Sequence, residues 1–260
     1  MIPRGRDLLR AWARTFAVQG SWNYRTMIAG GVTFALLPLL RRIHAGDPVA
    51  LAAALARHLR PFNAHPYLSG LAVGALARAE LEGVPPERLE RFREALHGPL
   101  GSVGDRAVWA TWRPVCLLAA IAAWAIGVPA LAAAGGFLVV YNAGHLWLRA
   151  WGFRTGWQAG LAVGGRMRGG ILERVPARLA PLTPFLLGLV TVLLTGRFGG
   201  PPVGVGVATD PLVGLALPAV AVAALAAFAA HRRPGLLGRT AIGWVILAVV
   251  APWLFAAGGA

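Results

Sequence analysis

His58-Leu59-Arg60-Pro61-Phe62-Asn63-Ala64-His65-Pro66-Tyr67-Leu68 is the first of two stretches on which the reading of this chain turns; His97-Gly98-Pro99-Leu100-Gly101-Ser102-Val103-Gly104-Asp105 is the second. Neither reads as plain helix or plain strand. His65 immediately precedes Pro66, and a residue before proline is pushed out of the helical region. Gly98, Pro99, Gly101 and Gly104 punctuate the second stretch as a tight backbone path would. Both stretches combine polar side chains with interrupted backbone, and both adjoin apolar sequence. Irregular backbone at membrane depth survives only where protein or a water-filled cavity satisfies its polar groups. The pattern predicts a pocket, or the ends of broken helices, inside a membrane protein.

Composition points the same way. The 260 residues are 57% hydrophobic and only 13% charged, with mean hydropathy +0.62. A soluble domain carries roughly a quarter charged residues. The net charge is +15, yet the arginines flank apolar runs and form no single basic face. That distribution fits an anionic cytoplasmic leaflet and argues against nucleic acid as a partner. Cys116 is the one cysteine, which excludes an internal disulfide and any multi-cysteine metal site. Arg4, Arg6, Arg10 and Arg14 are not followed directly by an apolar core with a cleavage site, so no cleaved signal peptide is expected.

Along the chain, Ile2 to Gly20 is basic and amphipathic. Leu8, Leu9, Trp12 and Phe16 fall at helical spacing, with Arg6, Arg10 and Arg14 on another face. This predicts either an interfacial helix on the cytoplasmic leaflet or a surface helix packed on a partner. Thr26 to Leu40 is uncharged but, at ~22 Å as helix, short for a crossing. Asp47 to Arg60 is an Ala-rich helix with Asp47-Pro48 as cap and first turn. Pro66 to Ala77 is a second short apolar helix, and Pro86 to Leu96, with alternating charges, a solvated one on the cytoplasmic side. Val115 to Val140 is uncharged and long enough to span; Gly127, Pro129, Gly135 and Gly136 leave open one crossing or two half-helices joined by a turn. Asn142 to Arg178, rich in Gly and Arg, is expected on the cytoplasmic side. Leu179 to Gly196, Pro211 to Ala230 and Thr240 to Gly259 are candidate spans. The arginine-containing link 231–239 is then cytoplasmic, and the link 197–210 and the C-terminus are outside.

These readings give an all-α, polytopic integral membrane protein with re-entrant or broken helices and an N-terminal amphipathic interfacial helix. Three regions follow: an arm over 1–22, a core with broken helices and polar motifs over 23–178, and C-terminal transmembrane helices over 179–260.

No Walker loop, H-E-x-x-H, Gly-x-Ser-x-Gly or cysteine–histidine pair at a known spacing is present, so no catalytic residue is predicted. His58, His65, His97 and His145 lack a carboxylate or second histidine at i+3 or i+4, and no metal or cofactor is predicted. Polar recognition of a sugar fits better. Asn63 offers amide donors and an acceptor, or else closes an Asx-turn before Pro66. Asp105 can fix two hydroxyls, or can cap a helix starting at Arg106. His65 binds a hydroxyl or satisfies a carbonyl freed by Pro66. Tyr141 and Asn142, ahead of His145, cap the preceding run or line the same cavity.

The same residues resemble a known family, the IID membrane component of mannose/fructose/sorbose-family sugar phosphotransferase systems (PTS). Its Asn-Tyr pair is matched by Asn23-Tyr24. Its Phe-Asn-Thr-His-Pro-Tyr motif is matched by Phe62 to Tyr67 with Ala64 for Thr, and its Gly-Pro-Leu-Ala-Gly-Ile-Gly-Asp motif by Gly98 to Asp105. An aromatic-Asn with a later His is matched by Tyr141-Asn142 and His145, a Gly-containing stretch by Gly152 to Gly160, and basic residues before the last span by Arg232-Arg233. The resemblance implies a non-catalytic subunit of the bacterial inner (cytoplasmic) membrane, multi-pass. It implies pairing with the membrane subunit IIC, in a trimer of IIC–IID pairs, to bind and translocate a hexose-type sugar. The soluble IIA and IIB (or IIAB) proteins then carry the phosphoryl chemistry. Asn63, His65 and Asp105 are the expected sugar-binding residues. The alternative is a diverged, non-transporting scaffold, receptor or regulatory protein of the same fold. Neighbouring IIA, IIB and IIC genes would favour transport.

Overall fold

The computed structural model describes residues 2–167 and 170–198. The candidate spans 211–230 and 240–259, the link 231–239 and residues 199–210 of the link before them lie outside the described residues. Regular structure among the described residues is helical, apart from two isolated bridges, Asn23 with Met27 and Met27 with Phe62. Among the described residues, three helices are long and apolar enough to cross a membrane: Pro86–Ala125, Ala130–Met167 and Ile171–Leu194.

The chain divides into two units, Met1–Ala110 with Tyr141–Pro176, and Thr111–Val140 with Ala177–Ala260. In the first unit α1 (Gly5–Arg14) packs on α2 (Ala29–Ile43), and α2 packs on α3 (Pro48–His58) and α4 (Ser69–Leu81). Leu8 and Trp12 of α1 turn inward, while Leu9 and Phe16 stay exposed. The apolar positions of the arm therefore divide between the chain's own core and its surface. Asp47 caps α3 as its sequence predicts, accepting from the Ala50 amide at 2.8 Å.

α4 is the centre of this unit. Nearly every residue from Ser69 to Glu80 is buried. A helix of ~20 Å that is apolar on all sides is a core helix, not a span. The approach of α7 (Ala130–Ala159) to it depends on glycine. A Cβ on Gly74 would lie 2.4 Å from the Phe153 carbonyl oxygen, and one on Gly156 would lie 2.1 Å from that of Leu71. Gly70-x-x-x-Gly74 thus faces Gly152-x-x-x-Gly156, the small-residue spacing that lets helix backbones touch.

α2 contains Pro38, which leaves the carbonyl of Phe34 without its helical donor. The Arg14 guanidinium fills that vacancy, donating to Phe34 O at 3.1 Å and lying 4.4 Å from the Phe34 ring centre.

Several sequence expectations are corrected here. The second diagnostic stretch is not a broken path: Pro86–Gly104 is a continuous helix, α5, with Gly98, Pro99 and Gly101 inside it. It passes into a π-helical segment, Asp105–Trp112, and then α6 (Arg113–Ala125). Glycine and proline are tolerated in an apolar helix whose neighbours satisfy the freed backbone groups. Asp105, at φ −60° and ψ −43°, is helical and does not N-cap a helix at Arg106. α5 is not uniformly solvated either, since Leu89, Arg93, Leu96 and Leu100 are buried. Tyr141 and Asn142 sit inside α7 and cap nothing. The first part of the Asn142 to Arg178 region belongs to Ala130–Met167, a helix apolar enough to span, which includes α8 (Val163–Met167); α9 (Ile171–Leu179) is a separate helix.

In the second unit the Val115–Val140 run resolves into two helices. α6 ends at Ala125, Gly127 takes φ +110°, and α7 starts at Ala130. α10 (Leu182–Phe198) packs on α6. Arg197 donates to the carbonyls of Trp124 and Ala125, at 3.3 and 3.2 Å, completing the end of α6.

Candidate functional site

The stretch from Arg60 to Leu68 is extended and turned, as its prolines require, and is pinned at several points. Phe62 pairs with the backbone of residues 26–28, donating to Thr26 O at 3.2 Å and accepting from the Ile28 amide at 3.0 Å. The turn before it is held by Asn23, whose side-chain oxygen accepts from the amides of Arg25 and Thr26 at 3.0 and 2.8 Å. Met27 there takes a positive φ of 57°. Buried Arg93 donates to the carbonyls of Arg60 and Pro61 and lies against the Phe62 ring. The Asn63 amide donates to His97 Nδ1 at 2.9 Å. The His65 amide donates to the Leu100 carbonyl at 3.2 Å, and the Ser69 hydroxyl to that of Pro66 at 2.7 Å. The two diagnostic stretches are therefore bonded to each other at two places.

Gly104 makes this possible. A Cβ there would lie 2.1 Å from His65 Cβ, so any other residue would push the loop off the helix. The outcome is a cleft of about 120 Å³ lined by Asn63, His65 and Asp105, with Gln19, Trp22 and Gly101 among its other walls. All three residues singled out from the sequence are brought together in it. The Asn63 and Asp105 side chains have no hydrogen-bond or ion-pair partner among the described residues and are exposed. His65 differs: it is buried, and its Nδ1 accepts from the Tyr67 amide at 3.2 Å. The proton then sits on Nε2, a buried donor without a partner. Burial foremost, then the charge of Arg149 and the proximity of His145, pushes this imidazole down to about 4, so it is neutral at neutral pH.

Behind the cleft lies an aromatic layer. Tyr67 stacks on His145 with ring centres 3.8 Å apart, and its hydroxyl meets that of Tyr141 at 2.8 Å. Trp109 lies 5.0 Å from the His65 ring. Buried Arg149 donates to His145 Nε2 at 2.6 Å and to the Thr15 carbonyl, and its guanidinium faces the rings of Phe16 and Tyr67. Tyr141, His145 and Arg149 recur at four-residue intervals, so α7 presents them on one face. That spacing was available in the sequence, and Arg149 and Trp109 are the residues that sequence reasoning missed.

A second polar cluster is built around Glu80. Arg57 donates to it at 2.8 Å, His58 Nε2 is 3.0 Å away, and His44 Nε2 is 3.4 Å away without hydrogen-bond geometry. Burial pushes the carboxyl up, but the bonds from His58 and Arg57 outweigh it and hold Glu80 well below the usual carboxylate range. Burial holds His58 below the ordinary histidine value. The cluster ties α2, α3 and α4 together. The described residues contain no group of three or more His, Cys, Asp or Glu side chains arranged to hold a metal.

This arrangement can be set against known proteins. The model of the PTS mannose/fructose/sorbose family IID component matches residues 4–196. The chain belongs to that family. The IID chain is 30% identical over 187 residues to the PTS mannose-specific EIID component of Escherichia coli K12, covering 70% of this chain and 65% of that protein. It is 30% identical over 200 residues to the sorbose-specific EIID component of Lacticaseibacillus casei, covering 73% and 68%. The aligned part thus spans about 65% of the length of the E. coli relatives. Among solved structures, a membrane protein matches this IID chain with a TM-score of 0.63 at 28% identity over 71% of this chain and 69% of that one. The mannose transporter ManYZ in complex with microcin E492 matches with a TM-score of 0.57 at 23% identity, over 98% and 97%. That second likeness establishes the all-α membrane fold.

Proposed function

We propose that this IID chain is the non-catalytic subunit of a mannose-type PTS permease of the bacterial inner membrane, binding a hexose-type sugar with IIC. Phosphoryl transfer is left to IIA and IIB. The observation that carries the proposal is the cleft: Asn63, His65 and Asp105 line one space, and the exposed side chains of Asn63 and Asp105 bring uncommitted donors and acceptors to it. An amide and a carboxylate together can donate to and accept from adjacent hydroxyls, with the buried His65 ring as the wall between them. The neutral state of His65 suits an uncharged ligand. At about 120 Å³ the cleft is smaller than a complete small-molecule pocket, which starts at about 300 Å³. It would form one wall of a site that IIC completes.

The test is sugar binding by the co-purified IIC–IID complex. Asn63→Ala is expected to weaken binding by about 1–3 kcal/mol, the cost of an unmade buried hydrogen bond, with co-purification of IIC unchanged. Unaltered affinity in an assembled Asn63→Ala complex would refute the assignment.

A further inference from the structure

We propose that the arginine cleft between α1 and the C-terminal end of α2 binds the phosphate group of an anionic phospholipid. The cleft, about 290 Å³, is lined by Arg10 and Arg14 from α1 and by Arg41 and Arg42 from α2. Asp7 is the single carboxylate in its wall, and it is already committed to the first turn of α1, accepting from the Arg4 amide at 3.0 Å. Among the described residues, none of the four arginines has a carboxylate partner.

Part of that charge has a structural explanation. Arg14 completes the Phe34 carbonyl left open by Pro38. Arg41 and Arg42 sit in the last turn of α2, where the helix dipole offsets about half a charge. The remainder has none. Arg42 Nε is shielded from water and has no hydrogen-bond partner, and an orphaned buried donor marks the place of a missing acceptor. A concave site with several guanidinium groups and one committed carboxylate is built for a phosphate, which guanidinium binds with paired, charge-assisted hydrogen bonds.

The exposed side of α1 points to lipid as the source. Leu9 of α1 is 61% exposed and Ile2, in the extended segment just before the helix, is 76% exposed, so apolar surface lies beside the arginines. Apolar and arginine faces side by side suit the boundary between headgroups and acyl chains. The phosphate would sit in the cleft and the chains would lie beside it, against Ile2 and Leu9.

The experiment uses the purified full chain in a neutral detergent, with retention of phosphatidylglycerol read by native mass spectrometry and thermal shift. Phosphatidylcholine and inorganic phosphate are the comparison ligands. The Arg41→Gln/Arg42→Gln variant is expected to lose phosphatidylglycerol affinity by about tenfold or more. Arg88→Gln/Arg91→Gln, which removes the same charge from an exposed part of α5, should match the wild type. If the α2 variant fails to fold, Arg10→Gln tests the opposite wall, with a smaller loss expected. An arginine-dependent shift with inorganic phosphate alone keeps the phosphate site but makes its source soluble. Equal retention by all variants, or equal loss in the Arg88/Arg91 control, overturns the proposal.

Discussion

Replacing Glu80 with glutamine tests the buried cluster that holds α2, α3 and α4 together. Gln keeps the shape and one acceptor but removes the charge that Arg57 and His58 face at 2.8 and 3.0 Å. Breaking a buried ion pair costs about 3–5 kcal/mol. The Arg57 side chain is 14% exposed and the Gln carbonyl still accepts, which reduces the expectation to about 2–3 kcal/mol. At about 2–4 °C per kcal/mol for a chain of this size, the unfolding midpoint should fall by about 4–12 °C. The pH dependence has a sign as well. Glu80 is depressed from 4.5 in the native state, so its contribution is full above that value and is lost as pH falls toward about 2. His58 is depressed from 6.5, so its contribution begins to fade below 6.5. The wild type should therefore lose stability on acidification below 6.5 and more steeply below 4.5. The variant should keep the first decline and lose most of the second. Thermal scans of the detergent-solubilised chain at fixed rate, followed by tryptophan emission, measure both. A variant with the wild-type midpoint at neutral pH, or with an undiminished second decline, would refute the reasoning.

Gly156→Val places a side chain against the Leu71 carbonyl and the Ala75 amide. It should cost about 3 kcal/mol or more by overpacking, read as lost folded yield in detergent; Gly164→Ala, which meets nothing within 4 Å, should be near neutral. Asp105→Asn would be almost silent if the residue were a cap. Because its carboxylate is uncommitted and faces the cleft, sugar affinity in the IIC–IID complex should instead fall by about 1–2 kcal/mol with an unchanged midpoint, measured by calorimetry. Topology reporters fused after Arg233 and after Ala260 should read cytoplasmic and outside, since the arginines of the 231–239 link favour the cytoplasm. An outside signal at Arg233 reverses the orientation.

Chain order and local chemistry determined much of this protein. Low charge with long apolar runs was sufficient for a membrane protein, because the cost of charge in hydrocarbon leaves that imprint on any spanning sequence. Asp47-Pro48 announced the start of α3, since an N-cap acts on amides two or three residues away. The prolines around Asn63 and His65 announced the irregular loop for the same local reason. The motifs Phe62–Tyr67 and Gly98–Asp105 also carried the family. Tertiary structure decided what those signals meant. Gly98, Pro99 and Gly101 looked like helix breakers, yet they lie inside α5, because propensity yields where packing and an apolar surround favour the helix. Gly104 is there to let His65 approach, which depends on contact across the fold. Arg93 lies in a segment that reads as solvated, yet it is buried on the carbonyls of Arg60 and Pro61, and Glu80 is held by Arg57 and His58 from another segment. The cleft itself exists only because a loop amide at Asn63 meets His97 and the one at His65 meets Leu100. Such long-range pairings have no period or spacing in the chain, so only the folded structure reveals them.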